Sequence, residues 1–162
     1  MSSSTPTKII GVKGQHEYVD RVAVRLLLRN TTSGEIAIIW VEKGQYFKLP
    51  GGGVEGDEDH VLAAEREAME ETGCTVRVRQ ECVATAEEWR NDLHQISHCY
   101  EAQLVQDTGN VQMTDEEIQE GLKHQWCSVD EALRKFRSSA PTSELGRFIK
   151  ERDTFFLEQF KG

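Results

Sequence analysis

The sequence predicts a mixed α/β (α+β) fold, helices packed on a sheet, and three observations carry that expectation. Runs of strict apolar alternation occupy the first third and the middle of the chain. Segments with helical spacing, each opened by a capping residue, follow a glycine-rich centre and close the chain. No internal repeat or low-complexity linker separates them, and 162 residues suit one domain with one core. The expected organisation is therefore a loose polar tail over residues 1–8 and a single domain over residues 9–162.

The elements follow in order. Regular structure is expected from about Glu17. From Arg21 to Arg29, Val22, Val24, Leu26 and Leu28 alternate with Arg21, Ala23, Arg25, Leu27 and Arg29, which is the period of a strand. "NTTSG" reads as a turn and "EIAIIWVE" as the partner strand of a hairpin, with a short run "YFKLP" ending at Pro50. Asp59 is a good N-cap and Gly73 a good left-handed C-terminal residue, so a helix is expected over about His60 to Thr72. Strands are expected around Val76–Thr85 and Gln95–Val105, the second alternating through Ile96, His98, Tyr100, Ala102 and Leu104, and "HQWCSV" reads as a further short strand. Ser128 caps "VDEALRKFRSS", and Ser143 opens a longer helix with Leu145, Phe148, Ile149, Phe156 and Phe160 at helical spacing.

Charge bounds the function. With a formal net charge of −9, the chain is unsuited to general adhesion to duplex nucleic acid or to an anionic membrane. A phosphate-bearing substrate would need local cations, which bound metal can supply to an acidic site. The opening "MSSSTPTK" has no apolar core of a secretory signal, and no window approaches the roughly 18 apolar residues of a membrane span. Cys74, Cys82, Cys99 and Cys127 show no C-x-x-C pairing and are expected as reduced, half-buried thiols. Cytosol is the default location, with the nucleus as the alternative.

The helix after the glycine turn is crowded with acid. At about 100° per residue Val61, Leu62, Ala64, Ala68 and Met69 share one arc, while Glu67, Glu70 and Glu71 share a neighbouring one. Like charges at these spacings repel by a few tenths of a kcal/mol per pair, so something should offset them. Arg66 can pair with Glu70 at i+4, which would make a salt-bridged solvent face. The other reading is that the carboxylates hold a hard divalent cation such as magnesium or manganese, which takes oxygen ligands.

The spacing favours the second reading. Gly52, Glu58, Arg66, Glu67, Glu70, Glu71 and Gly73 stand in the pattern G-x5-E-x7-R-E-U-x-E-E-x-G-U, with Ala68 and Cys74 at the U positions and "KLPGG" overlapping its start. The segment resembles the Nudix box of the Nudix hydrolases at every fixed position. The resemblance implies an α/β/α sandwich with a mixed sheet, the catalytic helix following the box loop. It implies Mg²⁺-dependent (or Mn²⁺-dependent) hydrolysis of a nucleoside diphosphate linked to another moiety, with water attacking phosphorus. It also implies Glu67, Glu70 and Glu71 as metal ligands, Glu58 as an auxiliary ligand, the Gly52 carbonyl as a further one, and Arg66 as the residue holding a ligand carboxylate in place.

The general base is not fixed by the box. "TDEEIQEGLKHQW" places Glu116, Glu117 and Glu120 in an expected loop, and Glu120 is favoured, with Glu87 and Glu88 as rivals. Arg21 and Arg25, from one face of the first long strand, and Lys48 are candidates for substrate phosphates, and Trp89 or Tyr46 for stacking on a base. His98 is expected as a plain sheet residue. No proline lies between Pro50 and Pro141 and no tyrosine between Tyr46 and Tyr100, so the features that mark ADP-ribose or dinucleoside polyphosphate preference in some Nudix subgroups are missing. Nucleoside triphosphates lead the substrate classes, handled by a monomer or a homodimer. Two readings from other classes stand beside the enzyme: a catalytically silent domain that senses a nucleotide, and an interaction domain whose acidic helix meets basic partners.

Overall fold

The computed structural model describes residues 4–160. The elements are β1 (Thr7–Ile10), β2 (Val19–Arg29), β3 (Ile36–Val41), β4 (Tyr46–Lys48), β5 (Gly51–Gly53), α1 (His60–Thr72), β6 (Cys74–Arg90), β7 (Leu93–Asp107), α2 (Asp115–Glu120), β8 (Leu122–Cys127), α3 (Val129–Ser138) and α4 (Glu144–Glu158). Residues 1–3 of the expected tail lie outside the described residues. Thr7 and Lys8 correct the rest of that expectation, because β1 pairs parallel with β6 from Thr7↔Thr85 to Ile10↔Glu88. Isolated from its partner strand, "TKII" is too short to announce itself.

The strands form one mixed sheet in the order β1-β6-β7-β2-β3-β4, with β5 on β2 and β8 on β3. β2 and β7 run parallel from Val19↔Leu93 to Arg29↔Gln103. The expected β2–β3 hairpin is a fork: they pair at Arg29↔Ile36, and then β2 takes β5 at Ala23↔Gly53 to Arg25↔Gly51 while β3 takes β4 and β8.

Both faces of the sheet are covered, which explains why Ala23 through Leu28 are all buried. Val24, Leu26 and Leu28 pack with Ala63, Ala64 and Ala68 of α1, while Leu27 packs with Ala132 and Phe136 of α3 and Phe156 and Leu157 of α4. The alternation expected for β2 thus separates two cores rather than core from solvent. At about 25 cal/mol per Å² of apolar area removed from water, these two layers are the main stabilising term.

The caps read from sequence form. Asp59 accepts from Leu62 N at 2.8 Å, Ser128 from Glu131 N at 3.1 Å and Ser143 from Gly146 N at 3.0 Å. The segment expected as a loop around Glu116–Glu120 is helix α2, because Thr114 and Glu117 close a reciprocal capping box and the first turn carries Asp115, Glu116 and Glu117 against the helix dipole.

A β-bulge decides which side chains of β6 reach which face. The register passes from Cys82↔Tyr100 to Ala84↔Cys99, so β6 spends one more residue than β7. Val76 and Val78 therefore share the α1 face, whereas Ala84 and Ala86, of the same parity, share the α3/α4 face. Glu88 and Arg90 follow Ala86 onto that second face. Among the described residues no helix is long and apolar enough to cross a membrane, and the four cysteines are free.

Candidate active site

A cavity of about 450 Å³ opens where the sheet forks, and β2, β4, β5, α1, β6, β7, α2 and α4 all contribute to its wall. Its polar lining divides by sign. Glu67, Glu71, Glu88, Glu117 and Glu120 are acidic, and Arg21, Arg25, Lys48, Arg90 and Arg152 are basic.

Glu71 is 1% exposed. Its Oε1 accepts from Gly51 N at 2.8 Å and its Oε2 from Lys48 Nζ at 2.9 Å. Burial pushes its carboxyl above the usual range against the pull of Lys48, and burial likewise raises Glu67 against the pull of Arg66. The close approach of β5 to its neighbours depends on two glycines, Gly51 against β2 and Gly52 against α1. A β-carbon on Gly51, whose φ is +151°, would lie 2.1 Å from the Val24 carbonyl oxygen, and one on Gly52 would lie 2.4 Å from Glu67 Oε1.

Arg66 ties the loop to the helix. Nε and Nη2 grip both oxygens of Glu58 at 2.8 and 2.9 Å, Nη2 also donates to Gly53 O at 3.0 Å, and Nη1 reaches Glu67 at 3.0 Å and Glu70 at 3.3 Å. Arg66 thereby fixes the carboxylates of Glu58, Glu67 and Glu70 relative to one another. The Arg66 hydrogen bonds hold the Glu58 carboxyl down at about 2. Glu58 and Glu70 are not in the cavity wall, so of the carboxylates expected to act as ligands Glu67 and Glu71 face the cavity. Among the described residues no three His, Cys, Asp or Glu side chains converge as a ready ligand set; Lys48 and Arg66 take the carboxylate charge instead. The donors nevertheless fit a hard divalent cation, because two buried carboxylates meet at a turn where Gly52 leaves the space a side chain would fill.

Beneath the cavity runs a buried ionic chain. Arg152, 1% exposed, reaches Glu88 Oε1 at 3.0 Å and Asp153 Oδ1 at 2.7 Å. Asp153 Oδ2 accepts from Leu49 N at 2.9 Å, Gln95 Nε2 donates to Glu88 at 3.1 Å, and Arg21 Nη1 donates to Gln95 Oε1. Arg25, 6% exposed, has its Nε buried without a partner. Burial, then Arg152, lowers its pKa to about 10, so it stays cationic at neutral pH.

Arg21, Arg25, Lys48 and Glu120 are thus brought to one cavity with Glu67, Glu71 and Gly52, and Tyr46 joins them. Trp89 is not: it stacks on His94 with ring centroids 3.9 Å apart, meets Tyr18 edge-on and carries Lys13 over its ring. The bulge in β6 gives the cavity to its neighbours Glu88 and Arg90. Glu87 faces His94 at 2.8 Å, and His98 lies against His60 on the α1 side, as a sheet residue. Sequence reasoning missed Arg152 and Asp153, although both interrupt the apolar spacing of α4 between Ile149 and Phe156. It also missed Gln95 and Arg90.

A family model described as the NUDIX domain matches residues 19–145. Similar solved structures include a NUDIX hydrolase from Nitrosomonas europaea (17% identity, TM-score 0.61, covering 87% of this chain and 91% of that one). The MutT protein from Methanosarcina mazei Go1 shares 23% identity with a TM-score of 0.61, over 91% of this chain and 100% of that one. The C. elegans Ap4A hydrolase shares 20% identity with a TM-score of 0.55, over 85% and 99%. These likenesses are of fold. No match was found among curated proteins.

Proposed function

The chain belongs to the NUDIX domain family, and from that premise we propose that it is a Mg²⁺-dependent pyrophosphohydrolase cleaving a nucleoside diphosphate linked to another moiety, nucleoside triphosphates leading. The observation that carries the reading is the opposition, across one cavity, of buried Glu67 and Glu71 to Arg21 and Arg25. Mn²⁺ would serve the same donors.

Glu67, Glu71 and the Gly52 carbonyl would hold the cation, with Glu70 and Glu58 kept close behind by Arg66. When bound, the metal polarises phosphoryl oxygens and acidifies water. The other roles belong to the chain. Arg66 fixes Glu67, so the ligand needs no reorganisation on binding. Lys48 opposes the effect of burial on Glu71 through an ion pair at 2.9 Å and stands ready to exchange that contact for a phosphate oxygen. Arg21 and Arg25 orient the phosphates, and Glu120, at the end of α2, takes the proton from the attacking water. Tyr46 offers a ring against the substrate's base. The partner this reading requires is a small soluble nucleotide of the cytosol.

A silent nucleotide sensor is the second reading; Gly52, Glu67 and Glu71 in one cavity wall, with Glu58 and Glu70 held behind them by Arg66, favour the enzyme over it. The test is product analysis by chromatography after incubation with Mg²⁺ and a panel of nucleoside triphosphates, nucleotide sugars, ADP-ribose and dinucleoside polyphosphates. A Mg²⁺-dependent nucleoside monophosphate, absent with Glu71→Gln, is the expected result. Tight nucleotide binding without turnover across the panel would replace the enzyme with the sensor.

A further inference from the structure

One wall of the cavity carries more positive charge than the chain itself answers. Register places Arg21 beside Gln95 of β7, and Gln95 beside Glu88 of β6. Arg90 pairs with Leu93, which is one step of the pleat further along the same face. Toward the other end of the wall, Ala23, Ser97 and Ala86 form a row of small, fully buried residues, and Arg25 follows it. The carboxylates of this wall are already committed, because Glu88 and Asp153 both hold Arg152.

Among the described residues Arg21, Arg25 and Arg90 make no ion pair, and the Nε atoms of both Arg25 and Arg90 are buried with no hydrogen-bond partner. A buried guanidinium donor left without an acceptor is destabilising. Three guanidinium groups without an ion pair on the wall of one open cavity mark where an anion from outside is missing, and a phosphate matches the guanidinium fork in both charge and shape.

Resting on the hydrolase reading, we infer that Arg90, together with Arg21 and Arg25, is a specificity-determining subsite for a substrate whose moiety beyond the metal-held phosphates is itself an anionic phosphate. The selected class is a nucleoside with a polyphosphate tail, in preference to a nucleoside diphosphate carrying a neutral sugar. Arg90 reaches the wall only because the β6 bulge reverses the alternation, and its place beside the Asn91–Asp92 turn leaves it at the cavity's outer end, suited to a terminal group.

The experiment compares kcat/KM for a nucleoside triphosphate with kcat/KM for a nucleotide hexose in the unaltered protein, in Arg90→Gln and in Arg90→Lys. The expected result is a fall of at least about tenfold in the triphosphate-to-sugar ratio for Arg90→Gln, the size of a lost charge-assisted hydrogen bond, with partial recovery in Arg90→Lys. A ratio unchanged in Arg90→Gln, or equally reduced in Arg90→Lys, would overturn the subsite. Calorimetry with inorganic tripolyphosphate and pyrophosphate in chelator separates this inference from the hydrolase reading. If no substrate turns over, a tripolyphosphate affinity at least about tenfold weaker in Arg90→Gln still supports the subsite, and equal affinities sink it.

Discussion

Gly52 and Glu67 occupy one space: a β-carbon on the glycine would stand 2.4 Å from Oε1 and 2.6 Å from the carboxyl carbon of the glutamate. The obstructing atoms are the far end of a flexible side chain, so Gly52→Ala should move the carboxylate rather than unfold the protein. Unfolding stability is expected to change by less than about 1 kcal/mol, while the Mg²⁺ needed for half-maximal activity rises by about 10- to 100-fold. Gly51→Ala is the contrast, because its β-carbon would meet the Val24 carbonyl, and it should cost more than about 3 kcal/mol in urea unfolding.

Glu71→Gln keeps an oxygen for Gly51 N–H and removes the charge that faces Lys48. Turnover should drop by about 100-fold or more, with a stability loss no larger than about 2 kcal/mol because Lys48 can swing toward solvent. Single-turnover kinetics beside thermal unfolding checks both halves; an unchanged rate would remove Glu71 from the metal site.

Glu120 lines the cavity from a helix that has no buried residue of its own. Glu120→Gln should therefore leave the melting temperature alone and lower kcat by about 10²- to 10⁴-fold, with the acid limb of the pH–rate profile lost. A profile that keeps its acid limb would return the general base to another carboxylate.

Asp153 serves two masters, the Arg152 guanidinium and the Leu49 amide. Asp153→Ala leaves the buried Arg152 with Glu88 as its one carboxylate and the Leu49 amide without its acceptor, and should cost about 3–5 kcal/mol in urea unfolding. A cost near zero would mean that the chain beneath the cavity contributes nothing to its rigidity.

His94 sits between Glu87 Oε2 and Asp20 Oδ1, each at 2.8 Å, and the hydrogen bond to Glu87, then that to Asp20, raises its pKa above 6.5. A raised folded-state value means that this stabilisation is complete below pH 6.5 and is lost as pH climbs through the folded value. Urea midpoints should fall between pH 6 and the mildly alkaline range, and His94→Gln should flatten that slope. Parallel slopes in the two proteins would refute the pairing.

Much of the site was legible because its signals are local. Asp59, the apolar arc and Gly73 bound α1 without help from the rest of the chain, and the gaps between Gly52, Arg66, Glu67 and Glu71 carry the family's mark in their spacing. Arg21 and Arg25 were readable as same-face residues of one strand, and both reach the cavity. Arg152 and Asp153 left a trace as charges in an apolar helical stripe.

What tertiary structure decided was which faces met. The capping box that makes α2, Thr114 with Glu117, is itself a local signal. Three other outcomes had no local signal. The fork of β2 from β3 lets β5 bring Gly51 to Glu71, the parallel pairing of β2 with β7 sets Arg21 beside Gln95, and one extra residue in β6 exchanges Trp89 for Arg90 at the cavity. The helix, its carboxylates and the strand period are written locally, since caps and periodicity act over a few residues. Strand partners and bulges are chosen by the burial of surfaces far apart in the chain, and they alone settled which charges share the cavity.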